Sequence, residues 1–82
     1  MGSVADTEAL VRYLVTSLVD MPDAASVERK ESENSITFEV SLDPSDVGKV
    51  IGRQGRIIKA IRTLARAAGS SDDMQVEVEI LG

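Results

Sequence analysis

The stretch from Val50 to Arg62, VIGRQGRIIKAIR, holds the residue types and spacing best suited to chemistry in this chain. Gly52 and Gly55 bracket the pair Arg53-Gln54, with Lys49 just before them and Arg56, Lys59 and Arg62 just after. Glycine permits positive φ in a tight turn and lets a bulky ligand come close, because no Cβ stands in the way. A helix that starts after such a turn offers unpaired N–H groups and a partial positive charge. With the guanidinium groups of Arg53 and Arg56 added, the chemistry on offer is the binding of an anion, and a phosphodiester backbone meets these requirements. The spacing is neither that of a GxxxxGK[ST] phosphate loop nor that of a GxGxxG dinucleotide fingerprint.

Composition narrows the alternatives. The chain has 82 residues, no histidine, no cysteine and no tryptophan. A zinc site lacks its usual ligands, thiolate chemistry is absent, and the commonest general base is missing. The expectation is a protein that is not an enzyme and carries no metal and no cofactor. Hydrophobic content of 43% is that of a globular protein. No apolar run approaches the roughly 18 residues that would cross a bilayer, and the opening MGSVADTEAL lacks the basic and apolar regions of a signal peptide. A cytoplasmic location with no membrane partner is expected, with residues 1–82 forming a single domain.

The anion site needs elements to position it. Leu10, Val11, Leu14, Val15 and Leu18 recur at helical spacing between Thr7 and Asp20, with Asp6 available as a cap and Pro22 as a stop. Ser26 to Ser32 reads as a charged edge strand. A turn at Glu33-Asn34, where Asn tolerates positive φ, leads into SITFEVSL, in which Ile36, Phe38, Val40 and Leu42 alternate with polar residues. Asp43-Pro44 opens a short helix through about Ile51. A second helix follows Gly55 from Arg56 to Ala68, and Gly69 suits a left-handed terminator. After a polar loop at 70–73, Met74, Val76, Val78 and Ile80 alternate with Gln75, Glu77 and Glu79 in a last strand. The order is helix, strand, strand, helix, helix, strand. This is an α+β fold with a three-stranded mixed sheet, antiparallel in its hairpin and parallel at its last strand, and three helices on one face.

Charge is distributed unevenly along this order. The formal net charge is −5, yet no acidic residue lies between Val47 and Ser71. That window carries Lys49, Arg53, Arg56, Lys59, Arg62 and Arg66, six of the nine cations. On the longer helix Arg56, Lys59, Arg62 and Arg66 fall within about a third of the circumference, opposite Ile58, Ile61, Leu64, Ala65 and Ala68. Fields at a site are set by charges within roughly 8–10 Å, so the acidic total does not forbid an anionic ligand here. The open sheet face carries Glu39, Glu77 and Glu79 and no aromatic platform, which directs such a ligand to the helical side. Tyr13 and Phe38, the two aromatic residues, read as core or near-core.

Val50-Ile51-Gly52-Arg53-Gln54-Gly55, followed by Ile58, Lys59 and Ile61, resembles the KH-domain signature VIGxxGxxIKxI at each defining position. The order of elements is similar to the type II KH arrangement, and the phrase DVGKVIGRQGRIIKAIRTL resembles the bacterial KhpA-type small RNA-binding proteins. That resemblance implies a single-stranded RNA-binding protein active in post-transcriptional regulation or as an RNA chaperone. It also implies pairing as a homodimer, or as a heterodimer with a larger Jag-type KH protein. Its clamp falls on Gly52, Arg53, Gln54 and Gly55. Arg56, Lys49 and Lys59 are further RNA contacts; Val50, Ile51 and Ile58 are candidates for an aliphatic base groove, with plain core positions as the alternative for Ile51 and Ile58. Gly48 is assigned to close packing. The KH signature does not require isoleucine at Ile57, which marks it as a candidate dimer contact. A protein–protein adaptor that uses the fold mainly for pairing is the competing reading.

Overall fold

The computed structural model describes residues 4–69 and 74–81. Helix α1 spans Val4–Leu18, strand β1 Ser26–Glu31, strand β2 Ser35–Ser41, helix α2 Val47–Ile51, helix α3 Arg56–Gly69 and strand β3 Gln75–Leu81. Single 3-10 turns stand at Pro22–Ala24 between α1 and β1, at Pro44–Asp46 between β2 and α2, and at Arg53–Gly55 between α2 and α3. The polar loop expected at 70–73 lies outside the described residues.

The sheet order is β1-β2-β3, with β1 antiparallel and β3 parallel to the central β2. Phe38 stands at the middle of the register, opposite Arg29 on one side and Val78 on the other. Alternation decides the faces: Ile36, Phe38 and Val40 are buried with Val76 and Val78 under the helices, while Thr37 and Glu39 point to the open face. Val11 and Val15 of α1, Val50 of α2 and Ile58, Ile61 and Ala65 of α3 close the core from above. The mixed α+β architecture with three helices on one sheet face is as expected.

Local details depart from the periodicity. Tyr13 is 69% exposed, not core. The buried row of α1 is Thr7, Val11 and Val15, and Tyr13, two residues from Val11, lies about 200° around the helix from it. Leu64 is 47% exposed and Leu18 sits at the surface; both flank the seam between α1 and α3. Asp6 lies inside the first turn of α1, which already begins at Val4. The hairpin at Glu33-Asn34 uses no positive φ; Ser32 N–H donates to Ser35 O (2.9 Å), and Asn34 O accepts from Gln75 N–H (2.9 Å), joining the turn to β3. Gly69 is the last helical residue and has no left-handed φ. Its role is close approach: a Cβ there would stand 2.8 Å from Thr7 Oγ1, so its missing side chain lets α3 lie against α1.

Candidate nucleic-acid interface

The corner between α2 and α3 is built by backbone geometry that few residue types accept. Gly52 has φ 77 and ψ 173, Gln54 φ 58 and ψ 24, and Gly55 φ 73. Three of the four corner residues thus lie at positive φ. Gly52 N–H donates to Gly48 O (2.9 Å), ending α2, and Gly55 N–H donates to Gly52 O (3.1 Å), closing the turn. Gly52 has a second constraint. A Cβ there would meet the Ile57 side chain at 2.6 to 2.9 Å, whereas at Gly55 the nearest atom is Ile58 Cγ2 at 3.9 Å. Gly48, expected to mark close packing, has open space where its side chain would be.

Gln54 is the one non-glycine residue with positive φ among those described. That conformation costs a side chain about 1–3 kcal/mol and is held only where the surroundings over-determine it. Here the Gly55 N–H to Gly52 O bond (3.1 Å) closes the turn around Gln54, and Arg56 Nη2 donates to Gln54 Oε1 (3.4 Å). Arg53 and Gln54 are both exposed, at the tip of the corner.

The six cations of the window do not form one face. Arg62 Nε donates to Val78 O (3.1 Å) and Arg66 Nε to Val76 O (3.2 Å), with a further contact from Arg66 to Glu77 Oε2 (3.2 Å). These two side chains fold over the edge of β3. Lys49 is committed as well: its Nζ lies 3.1 Å from Asp20 Oδ2 and 3.1 Å from Asp46 Oδ1. Hydrogen bonding to Asp20, then to Asp46, raises its pKa above the ordinary 10.5. Arg53, Arg56 and Lys59 remain exposed and, among the described residues, make no ion pair. The cationic surface is therefore the corner and the first turn of α3.

Of the apolar candidates, Val50 and Ile58 are core, at 0% and 4% exposure, and Ile51 is half-buried beside the corner. Ile57 is half-buried against Gly52. It also lines a groove of about 350 Å³ between α1 and α3, with Leu14, Leu18, Ala60, Ile61 and Leu64.

One buried residue near the corner gave no signal in the spacing of the sequence. Asp46 is fully buried, and its carboxylate accepts from Asp20 N–H (3.2 Å), Met21 N–H (3.0 Å) and Lys49 Nζ (3.1 Å). Burial alone raises a carboxyl pKa, but the Asp20 amide, the Lys49 ammonium and the Met21 amide outweigh it and hold this one below its ordinary 3.8. The only available hint was its place after Asp43-Pro44, where Asp43 caps the turn by accepting from Ser45 N–H (3.0 Å) and leaves Asp46 free to bond elsewhere. Among the described residues no cluster of side chains could hold a metal ion, and no helix is long and apolar enough to cross a membrane.

The sequence that folds into this corner and this order of helices and strands is matched by known proteins. The family model described as "KhpA/KhpB, KH domain" matches residues 8–80. The chain is similar to RNA-binding protein KhpA of Listeria monocytogenes, 43% identical over 90% of this chain and 97% of that protein. It is 48% identical to RNA-binding protein KhpA of Bacillus subtilis over 89% of this chain and 90% of the relative. With the KhpA of Clostridium acetobutylicum it shares 47% identity over 88% of this chain and 96% of the relative. No solved structure matches. A family model covering most of the chain and relatives this similar over nearly their whole length lead to one conclusion: the chain belongs to the KhpA/KhpB family of KH domains.

Proposed function

We propose that this protein binds RNA without catalysing a reaction, gripping the backbone of a single strand at the corner Gly52-Arg53-Gln54-Gly55. The observation that supports this most is the combination of three positive-φ residues at the corner with the exposed cations Arg53, Arg56 and Lys59 around them, which make no ion pair among the described residues. Because Gly52 and Gly55 spend their amides within the turn, the donors left for a phosphate are the N–H groups of Arg53 and Gln54. Ile51 offers an aliphatic surface beside them for a base. Curated relatives that cover nearly the whole chain are named as RNA-binding proteins. A role in post-transcriptional regulation or as an RNA chaperone, carried out in the cytoplasm by residues 1–82 as one domain, fits weak binding of this kind.

Without aromatic stacking, affinity should fall in the range of about 10⁻⁴–10⁻⁶ M typical of electrostatic binding. Three phosphate-contacting cations on a single strand predict a slope of log affinity against log salt of about −2. The test is the double variant Arg53→Asp/Gln54→Asp, titrated with a short unstructured oligoribonucleotide. Aspartate tolerates the left-handed conformation at position 54, so the circular dichroism should be unchanged while binding is lost. A folded double variant that binds as tightly as the parent sinks the proposal.

A second reading, self-association, is favoured by the groove between α1 and α3. Leu18 and Leu64 are exposed on its walls, Ile57 is half-buried, and its lining is almost wholly apolar. A patch placed on a two-fold axis meets its own copy, and a second copy would cover this one while adding to a small core. Two RNA sites on one particle would gain avidity. Because Ile57 also touches Gly52, the cleaner test is Leu64→Asp beside Ile57→Asp in sedimentation velocity. Both should yield monomers; dimers that persist in both remove this surface as the interface. Pairing with a larger Jag-type KH protein in place of a second copy would show as monomers of the parent protein alone.

A further inference from the structure

Helix α2 is a rod of five residues whose apolar contacts are Val50, fully buried, and Val47 and Ile51, partly buried against the core. Apolar packing of this kind is non-directional, and the corner at Gly52 is carried on the far end of the rod. A second anchor stands at its near end. Asp46 occupies the N-cap position of α2, yet its side chain makes no capping hydrogen bond to that helix. It turns the other way and takes the amides of Asp20 and Met21, just beyond the end of α1, at 3.2 and 3.0 Å. Lys49, one turn along α2, closes the arrangement by bridging Asp46 and Asp20. A fully buried carboxylate is costly unless paired and hydrogen-bonded, and none of its contacts lies at the ligand-binding corner.

We propose that Asp46 is a positioning residue for the corner: with Lys49 it locks α2 to the end of α1 and so aims Gly52-Arg53-Gln54-Gly55, while Lys49 itself makes no phosphate contact. This rests on the RNA-binding reading above and deepens it. The packing of Val47, Val50 and Ile51 on the core and the directional hydrogen bonds of Asp46 to the α1 terminus together set the direction of α2, and through the Gly52 N–H to Gly48 O bond they define the corner. Lys49 holds two carboxylates in place, one of them buried, and releasing it toward a phosphate would leave Asp46 without its counter-charge.

The experiment compares Asp46→Asn, Lys49→Met and Arg53→Ala with the parent, at a temperature where circular dichroism shows each fully folded. Each is titrated with a short oligouridylate across a salt series, and the amide signals of residues 52–55 are followed by NMR in the free proteins. Asp46→Asn should shift those free-state signals and weaken binding about tenfold at every salt concentration, with the salt slope unchanged. Lys49→Met should also keep the parent slope, whereas Arg53→Ala should make it shallower by about 0.7, the loss of one contact on a single strand. A role limited to stability would leave the affinity of folded protein untouched, so unchanged affinity and unchanged corner signals in Asp46→Asn overturn the proposal. A slope in Lys49→Met shallower by about 0.7 overturns it too, by making Lys49 a direct contact. Should Asp46→Asn fail to fold, Asp20→Asn on the exposed side of the same bridge carries the test, with a smaller displacement of the corner signals expected and none overturning it. If the parent shows no salt-dependent binding, the RNA reading fails by itself, and the free-state signals still decide whether Asp46 aims the corner.

Discussion

Gly52 and Gly55 look alike in sequence, yet they stand in unequal surroundings. Both require positive φ, Gly55 at a cost to an ordinary side chain of about 1–2 kcal/mol and Gly52, with ψ 173, in a region essentially only glycine enters, at about 1–3 kcal/mol. At Gly55 that is the whole penalty, because a new Cβ would meet nothing closer than 3.9 Å. At Gly52 the Cβ would overlap Ile57, adding the roughly 1–3 kcal/mol typical of overpacking. Gly52→Ala should therefore lower stability by about 2–6 kcal/mol and Gly55→Ala by about 1–2 kcal/mol, read from urea midpoints at constant m. Equal losses would show that neither the Gly52 backbone nor Ile57 adds to the penalty found at Gly55. The glycines of the turn were legible from their spacing. The contact that separates them was not, because Ile57 reaches Gly52 only once α3 has folded back over the corner.

At the scale of elements, arginines projecting from helices cover both free edges of the sheet. Gln75 N–H pairs with Asn34 O toward β2, so by alternation the carbonyls of Val76 and Val78 face the open edge of β3. Arg66 and Arg62 donate to these two carbonyls. On the other edge Arg12 of α1 donates to Val27 O of β1 (3.3 Å). Unpaired strand edges invite pairing with another chain, and charged side chains blunt them. The double variant Arg62→Ala/Arg66→Ala should keep the parent salt slope for RNA while associating with rising concentration in sedimentation velocity. A slope shallower by about 1.4, the value of two contacts on a single strand, would instead make these arginines part of the RNA surface, as their spacing on α3 suggests. Helical periodicity shows that the four cations share a sector; it does not show that half of that sector lies against a strand.

The whole molecule is electrically divided. Glu28, Glu39 and Glu79 stand opposite one another across the three strands, on the open face that also carries Glu77. Arg53, Arg56 and Lys59 stand at the helical corner. A net charge of −5 thus coexists with a local positive field, and the sheet face repels anionic ligands. Stability should depend on pH at both ends of the scale. Asp46 and Asp43 are held below their ordinary 3.8, Asp43 chiefly by its hydrogen bonds from Ser45. Their contribution is full above that value and disappears as pH falls through the depressed pKa values. Lys49 is raised above 10.5, so its contribution is full below that pH and is lost as pH rises through the elevated value. Thermal unfolding should show a plateau between these limits, and Asp46→Asn should flatten the acid side; an acid limb identical to the parent's would mean that Asp46 is not the group being protonated.

The sequence by itself determined the order of elements, the faces of the strands, the turn at Gly52 and Gly55 and the concentration of positive charge around it. These are properties of neighbours along the chain, where alternation, helical spacing and the demands of a tight turn act over a few residues. Only the tertiary structure decided which charges are free. Lys49 is bound to Asp20, 29 residues earlier, and Arg62 and Arg66 to a strand that follows them. Tyr13 lies outside and Asp46 inside for the same reason. Burial depends on what packs against a helix or turn from elsewhere in the chain, and that partner is not specified by the residues on either side.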